Sequence, residues 1–158
     1  MARFYGTYRY SADTKGRMNV PAPYRKAIAD EPDGKTFWVT IGLERCLKVY
    51  AQSDWDKLES VFDSIPIFDE EGRALAREVF GHARPEAFDK QGRIMLHKEL
   101  REYAGIKKDV VIVGLRDHFE IWAAEEREHA RKAAPPMNKI AQNTLKTIRD
   151  NRPKGEGA

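Results

Sequence analysis

The chain has 158 residues, of which 34% are charged and 41% hydrophobic, and its formal net charge is +3. No apolar run approaches the roughly 20 residues that a membrane-spanning helix requires, and no apolar stretch follows the first arginines as in a signal peptide. These features argue against a membrane or exported protein and predict a globular, cytoplasmic one. The single cysteine, Cys46, cannot form an internal disulfide and is interpreted as a small buried hydrophobe.

Basic residues are distributed unevenly along the chain. Residues 1–28 contain six basic residues and one acid, whereas residues 29–80 contain six basic residues and twelve acids. A basic segment in a chain that is otherwise close to balance is typical of a protein with a localised anionic partner. Because surface charges also cluster by chance, this distribution alone leaves both interpretations open.

The first half of the chain begins with predicted strands and a short helix. Aromatic and β-branched residues predict strands over residues 1–20 (interrupted by a turn), 35–43 and 47–50. Between them, Pro21 opens a short helix over residues 24–28, since proline is tolerated in a first helical turn.

Two longer helices are predicted after these strands. Ser53 or Asp54 is expected to cap the first, which ends near Phe62 and has one apolar face. The second covers residues 70–80, with Asp69 and two glutamates at its positive end. These helices contain many of the twelve acidic residues found between positions 29 and 80.

The chain then repeats itself at an offset of 76 residues. Asp13-Thr14-Lys15-Gly16-Arg17 returns as Asp89-Lys90-Gln91-Gly92-Arg93, and each turn is followed by a short apolar run, a short helix and two strands. In the later strands the offset falls to 72, which aligns Val39, Gly42 and Leu43 with Val111, Gly114 and Leu115. We therefore interpret the chain as two copies of one unit.

The second copy ends in further helices. Its short helix covers residues 97–104, with Gly105 as a fitting C-terminal residue. After Trp122, a helix over residues 123–134 is stopped by two prolines. A last helix is predicted over residues 138–149, and residues 152–158 are expected to be disordered.

Each turn combines an aspartate, a glycine and an arginine at the same spacing. Gly16 and Gly92 supply the backbone freedom of a tight turn, and Asp13 and Asp89 are expected to brace it by pairing with the arginine four residues on. Basic side chains then project from two equivalent turns: Lys15, Arg17, Lys90 and Arg93. Such a surface could meet the backbone of duplex DNA at two points, and arginine can also read guanine edges. The alternative is that both arginines turn inward onto their aspartates.

Signals of catalysis are weak. The sequence contains no phosphate-binding glycine loop, dinucleotide fingerprint, nucleophile elbow or HExxH zinc signature. Glu125 and His129 share a helical face, but other charges surround them, so a solvated surface is favoured over a metal site. We expect a protein that is not an enzyme and that has no cofactor, metal site or small-molecule substrate.

Taken together, the motifs resemble the MraZ family, whose chains carry two SpoVT–AbrB-type DNA-binding repeats. Besides the two turns, the resemblance rests on Pro21, Tyr24-Arg25, residues 80–83, Leu100-Arg101 and residues 119–122. The second copy departs from the family pattern, because His97 stands where proline is more frequent and Gln91 replaces the lysine. Its turn is therefore expected to contact DNA differently.

This resemblance implies an α+β fold with a double-split β-barrel, formed by two tandem swapped-hairpin repeats and flanking helices. It implies a first repeat over residues 7–54, bridging helices over 55–82 and a second repeat over 83–126. A C-terminal helix and a flexible tail would occupy residues 127–158.

The resemblance also implies a nucleoid-associated, sequence-specific transcriptional regulator. As a ring-like homo-oligomer, it would bind double-stranded DNA at repeated promoter elements of the division and cell-wall gene cluster. The expected DNA contacts are Lys15, Arg17, Arg93 and Lys90, with Arg3, Arg9 and Arg25 as candidates for phosphate or oligomer contacts. The alternative is a protein-interaction or antitoxin-like module of AbrB-type fold, docking through its acidic region 54–78.

Overall fold

A computed structural model describes residues 1–153 and residue 155 of the chain. Residue 154 and residues 156–158 of the predicted disordered tail lie outside the described residues. The chain forms two compact units, Met1–Arg127 and Glu128–Ala158. No helix in the described part is long and apolar enough to cross a membrane.

The predicted elements occur in the predicted order with bounds that differ by a few residues, and a strand before the second turn (Arg84–Glu86) is an addition. The first copy and the bridging helices contain β1 (Thr7–Ser11), β2 (Arg17–Asn19), α1 (Ala22–Ala29), β3 (Phe37–Ile41), β4 (Leu47–Ala51), α2 (Gln52–Asp63) and α3 (Glu70–Gly81). The remaining elements are β5 (Arg84–Glu86), β6 (Arg93–Met95), α4 (Lys98–Ala104), β7 (Asp109–Gly114), β8 (Phe119–Ala123), α5 (Ala124–Ala133) and α6 (Met137–Asp150).

The strands form two antiparallel sheets. Six of them lie in the order β1-β7-β8-β4-β3-β5, and β2 and β6 form a separate two-stranded ribbon. Antiparallel sheets combined with helices confirm the predicted α+β class. Among the described strands, β1 and β5 remain edges of the larger sheet, so strand pairing does not close it into a barrel.

Most neighbouring strands come from different copies of the repeat. The pairs β1–β7, β3–β5, β4–β8 and β2–β6 all join one copy to the other. In two of these pairs, equivalent residues face each other: Met18 lies opposite Ile94, and Lys48 lies opposite Glu120. Equivalent residues can pair in this way only on a twofold axis, so a pseudo-twofold axis relates the two copies.

The structure corrects the predicted alignment of β3 with β7. Tyr10 pairs with Val110, whereas Glu86, the equivalent of Tyr10, pairs with Phe37. Phe37 is therefore equivalent to Val110 at an offset of 73, and the offset of 72 inferred from the matching valines is wrong. The difference is absorbed in the hairpins, because five residues join β3 to β4 but four join β7 to β8.

An aromatic cluster occupies the centre of the first unit. Phe4 and Phe119 are both 0% exposed, and the ring centroids of Phe4, Tyr24 and Phe119 lie 5.0–5.1 Å apart. The Tyr24 hydroxyl donates to the carbonyl oxygen of Tyr5 at 2.7 Å, and burial raises the pKa of Tyr24 to about 12. Only glycine fits at position 114, because a Cβ on Gly114 would lie 2.5 Å from the Tyr24 hydroxyl oxygen.

The predicted cap of α2 is wrong. The helix begins at Gln52, and the preceding Ala51 provides no side-chain cap. The Ser53 hydroxyl instead donates to Oε1 of the buried Glu31 at 2.6 Å, and Asp54 is itself buried. Ser53 thus makes a tertiary contact, whereas Asp54 accepts from Lys57 Nζ of the same helix at 3.3 Å. Neither residue can be the N-cap, since the strand β4 leads directly into the helix without a turn.

The second unit contains the end of α5 and the whole of α6. Proline residues separate the two helices, as predicted. Apolar side chains recur on α6 at helical spacing and are exposed: Met137, Ile140, Leu145 and Ile148.

We predict that Phe119→Ala lowers the free energy of unfolding by about 3–5 kcal/mol, because it removes a ring that packs against two others in the core. Denaturant titration of the full chain measures this change. The control is Leu43→Ala, at a side chain that is 78% exposed, and it should stay within about 0.5 kcal/mol of the parent. Equal effects of the two substitutions would contradict the central role of the cluster.

Candidate nucleic-acid interface

The first turn is closed by the side chain of Asp13. Its Oδ1 accepts hydrogen bonds from the backbone N–H groups of Lys15 and Arg17, each at 2.9 Å, and its Oδ2 accepts one from Arg17 Nε at 2.7 Å. The main chain adds two bonds, from Asp13 N–H to the Arg17 carbonyl at 2.9 Å and from Gly16 N–H to the Asp13 carbonyl at 3.0 Å. One carboxylate thus fixes both the loop and the arginine that follows it.

The second turn repeats this network. Asp89 Oδ1 accepts from the N–H groups of Gln91 and Arg93 at 2.9 Å, and Oδ2 accepts from Arg93 Nε at 2.9 Å. The same two main-chain bonds are present, at 2.9 and 3.0 Å. One contact differs from the first turn: Arg93 Nη2 also donates to the side-chain oxygen of Gln91.

Hydrogen bonding keeps both carboxylates ionised. The backbone N–H of Arg17, supported by the nearby guanidinium, lowers the pKa of Asp13 from 3.8 to about 2. The equivalent N–H of Arg93 lowers the pKa of Asp89 in the same way. Since each aspartate engages its arginine through Nε, it leaves the terminal guanidinium nitrogens to other partners. The two predicted roles of the arginines, bracing and outward contact, are therefore compatible.

Each turn also lies against the other copy of the repeat. Gly16 has φ +86° and Gly92 has φ +74°, a backbone region that favours glycine. A Cβ on Gly16 would lie 2.5 Å from the carbonyl oxygen of Leu96 and 2.7 Å from Arg101 Nε, and one on Gly92 would overlap the guanidinium of Arg25. Arg25, a candidate for a phosphate or oligomer contact, thus supports the second turn.

The two turns open into the ribbon formed by β2 and β6. Met18 and Ile94 are each 1% exposed and form the inner face of the ribbon. Because side chains alternate along a strand, the residues on either side of them share the outer face. The outer face consists of Arg17, Asn19, Arg93 and Met95. Both arginines therefore lie on one surface, displaced by about 7 Å along the strands.

Asn19 and Met95 were missed by the sequence analysis, which considered only charged residues near the turns. Asn19 is exposed, and Met95 is partly exposed. In the register of the ribbon, Arg17 lies opposite Met95 and Asn19 lies opposite Arg93. The sequence did contain a signal for Asn19: side chains alternate along a strand, so a buried Met18 places both of its neighbours on the outer face.

Of the other predicted DNA contacts, two lie in the turns and two lie outside the ribbon. Lys15 and Lys90 are exposed within the two turns. Arg9 is exposed on β1, which belongs to the larger sheet, and Arg3 is exposed in the segment before it. The structure places neither Arg3 nor Arg9 in the ribbon.

One cluster in the described residues has the composition of a metal site. Ligand atoms of Glu44, Cys46 and Glu120 lie within 4.8 Å of one another. However, burial and the neighbouring Glu120 carboxylate raise the pKa of the Cys46 thiol well above its usual range. Glu120 also accepts a hydrogen bond from Trp122 Nε1 at 3.1 Å. The Cys46 thiol donates a hydrogen bond to Glu120 Oε2 at 3.6 Å, so these buried groups are partners of each other within the fold, and the geometry favours a structural role.

Comparison with known proteins identifies close relatives. The family model for the MraZ protein, whose description adds the term antitoxin-like, matches residues 3–78 and again residues 79–147. The transcriptional regulator MraZ of Acetivibrio thermocellus is 41% identical over 119 residues, covering 75% of this chain and 80% of the relative. The transcriptional regulator MraZ of Desulforamulus reducens is 38% identical over 143 residues, covering 90% and 97%.

We predict that the Asp13 carboxyl titrates near pH 2 in the folded protein, below its usual 3.8, when it is followed by carbon-detected NMR. Because the folded pKa is the lower one, the stabilisation is fully present above about pH 4 and is lost as the pH falls through about 2.

A companion variant identifies the cause of this shift. Arg17→Ala removes the guanidinium but keeps the backbone N–H, so the pKa of Asp13 should rise only part of the way towards 3.8. A full return to 3.8 would contradict the leading contribution of the backbone hydrogen bond.

Proposed function

The chain belongs to the MraZ family, and from this premise we propose that it is a sequence-specific, DNA-binding transcriptional regulator. It binds double-stranded DNA at repeated promoter elements of the division and cell-wall gene cluster, as a ring-like homo-oligomer in the cytoplasm. The relatives named above support the regulatory role, since both are called transcriptional regulators.

The outer face of the β2–β6 ribbon is the observation that carries this proposal. Two arginines share the face, and each is oriented by its own aspartate at 2.7–2.9 Å. The major groove of B-DNA, about 12 Å wide, admits a two-stranded β-ribbon. Arg17 and Arg93 would present their terminal nitrogens to guanine O6 and N7, the commonest specific contact in that groove.

The turns at the two ends of the ribbon supply the non-specific part of binding. Lys15 and Lys90 extend from these turns and would contact phosphates on either side of the groove. Arg3 and Arg9 are proposed as additional phosphate contacts beyond the ribbon. Such contacts position the protein on the duplex and make the affinity depend on salt.

We further propose that the two sheets are the layers of the double-split barrel that the resemblance implies. Each repeat contributes strands to both sheets and pairs with the other repeat in each, as expected for swapped hairpins. Assembly of several such subunits in a ring would align several ribbons with repeated DNA elements. Simultaneous binding of linked sites raises the affinity beyond that of one subunit.

We predict that Arg17→Ala weakens binding to the cognate duplex by about 1–3 kcal/mol, because a bidentate arginine–guanine contact is lost. A salt-dependent anisotropy titration with DNA from upstream of the gene itself, against a scrambled duplex, measures the change. Arg93→Ala is expected to act in the same direction, and the double variant should lose sequence selectivity.

Two lysine variants separate phosphate contact from base contact. Lys15→Ala should weaken binding to the cognate and the scrambled duplex alike. It should also reduce the slope of log K against log salt concentration by about 1. Lys35→Ala removes a lysine that is also exposed, in the loop before β3, and should change neither the affinities nor the salt slope. Weak binding that ignores sequence and survives the Arg17→Ala, Arg93→Ala double substitution would reject the proposal and favour the protein-interaction alternative.

We predict that sedimentation of the full chain at micromolar concentration gives one closed species of several times the 18.2 kDa subunit mass. A closed species is expected because a ring stops growing when its last subunit meets its first, whereas an open filament would give a series of sizes. A monomer across this concentration range would contradict the ring, while leaving the role of the ribbon to be decided by the DNA titrations.

A further inference from the structure

The outer face of the ribbon carries an arginine at the matched position of each strand, but its other two side chains differ from each other. The pseudo-twofold axis passes through the Met18–Ile94 pair and exchanges Arg17 with Arg93. The same operation exchanges Asn19 with Met95, so a carboxamide on one strand corresponds to a thioether on the other. The two halves of this face therefore have different chemistry at one matched position.

The two side chains differ in what they can recognise. An asparagine amide donates and accepts in one plane and can pair bidentately with N7 and N6 of adenine. A methionine offers only a weakly accepting sulfur and apolar contact, such as contact with a thymine methyl group. Asn19 can therefore discriminate between bases by hydrogen bonding, whereas Met95 cannot.

The position of Asn19 suits this role. It lies on the same face as Arg17, two residues further along β2, and therefore about 7 Å away. This spacing is close to two base-pair steps of about 3.4 Å. Its own strand is anchored by buried Met18, and its partner across the ribbon is Arg93. The backbone that presents Asn19 is thus fixed before any ligand binds, which lowers the entropic cost of recognition.

A second asymmetry lies in the turns. Gln91 stands where the first turn has Lys15, and its side-chain oxygen accepts a hydrogen bond from Arg93 Nη2. One terminal nitrogen of Arg93 is therefore already engaged. The guanidinium of Arg17 donates to Asp13 through Nε at 2.7 Å.

We propose that Asn19 is a specificity-determining residue that reads an adenine about two base-pair steps from the base contacted by Arg17, and that Met95 has no equivalent function. Each subunit then reads an asymmetric DNA element and binds it in one orientation only. This inference rests on the proposed function, because it assigns a role within the same DNA-binding face.

The test is selection from a pool of short duplexes with a randomised centre, carried out on the wild-type protein and on three variants. For the wild type we expect a non-palindromic enriched element that contains one strongly preferred adenine. For Asn19→Ala we expect that adenine preference to fall by roughly 10-fold or more, while the other preferred bases persist. Asn19→Gln, which keeps the carboxamide on a longer stem, should retain part of the preference.

Met95→Asn restores the symmetry of the face and provides the sharpest outcome. It should add an adenine preference at the symmetry-related position, on the opposite strand, and make the enriched element more palindromic. An unchanged element in both Asn19→Ala and Met95→Asn would overturn the inference and leave the proposed function intact. A wild-type protein that enriches no sequence would overturn the proposed function and this inference together. Thermal unfolding of each variant verifies that the protein is folded.

Discussion

The pairing of β2 with β6 across the pseudo-twofold axis is the constraint on which the proposed DNA-binding face depends. Each strand has only three residues, and a two-stranded ribbon of this length is marginal in water on its own. It persists because Met18 and Ile94, which face each other on the axis, are both buried beneath it. Each copy of the repeat supplies one strand, so the ribbon forms only where the two copies pair.

Contacts between the two copies also hold the turns in place. The first turn lies on Arg101 of the second copy, whose Nε donates to the Leu96 carbonyl at 2.9 Å, and the N–H of Leu96 donates to the Gly16 carbonyl at 2.8 Å. The second turn lies on Arg25 of the first copy. The turn that orients each arginine is therefore held by the other repeat of the same chain. A substitution that loosens the pairing of the copies would also loosen the geometry of the proposed DNA contacts.

The helices, strands and turns could be predicted because they depend on residues close together in the sequence. The pairing of distant segments could not be predicted in this way. The spacing of Asp13 and Arg17, with glycine between them, determines a turn that needs few other residues, and alternation identifies the strands. The register of β3 depends instead on hairpin length and on its partner β5, so the identities between the copies were misleading. Ser53 looked like a helix cap because the sequence cannot reveal that the buried Glu31 competes for its hydroxyl.

Fusing two copies in one chain permits contacts that two identical subunits could not make. On the axis of a homodimer, a residue faces its own copy, so a lysine would face a lysine and the like charges would repel. In this chain Lys48 instead faces Glu120 at that position, giving opposite charges directly across the strands. The ribbon has the same freedom, because Asn19 and Met95 occupy equivalent positions with different chemistry. Different residues at equivalent positions thus make the two halves of a symmetric scaffold chemically distinct. The proposed reading of an asymmetric DNA element depends on this difference.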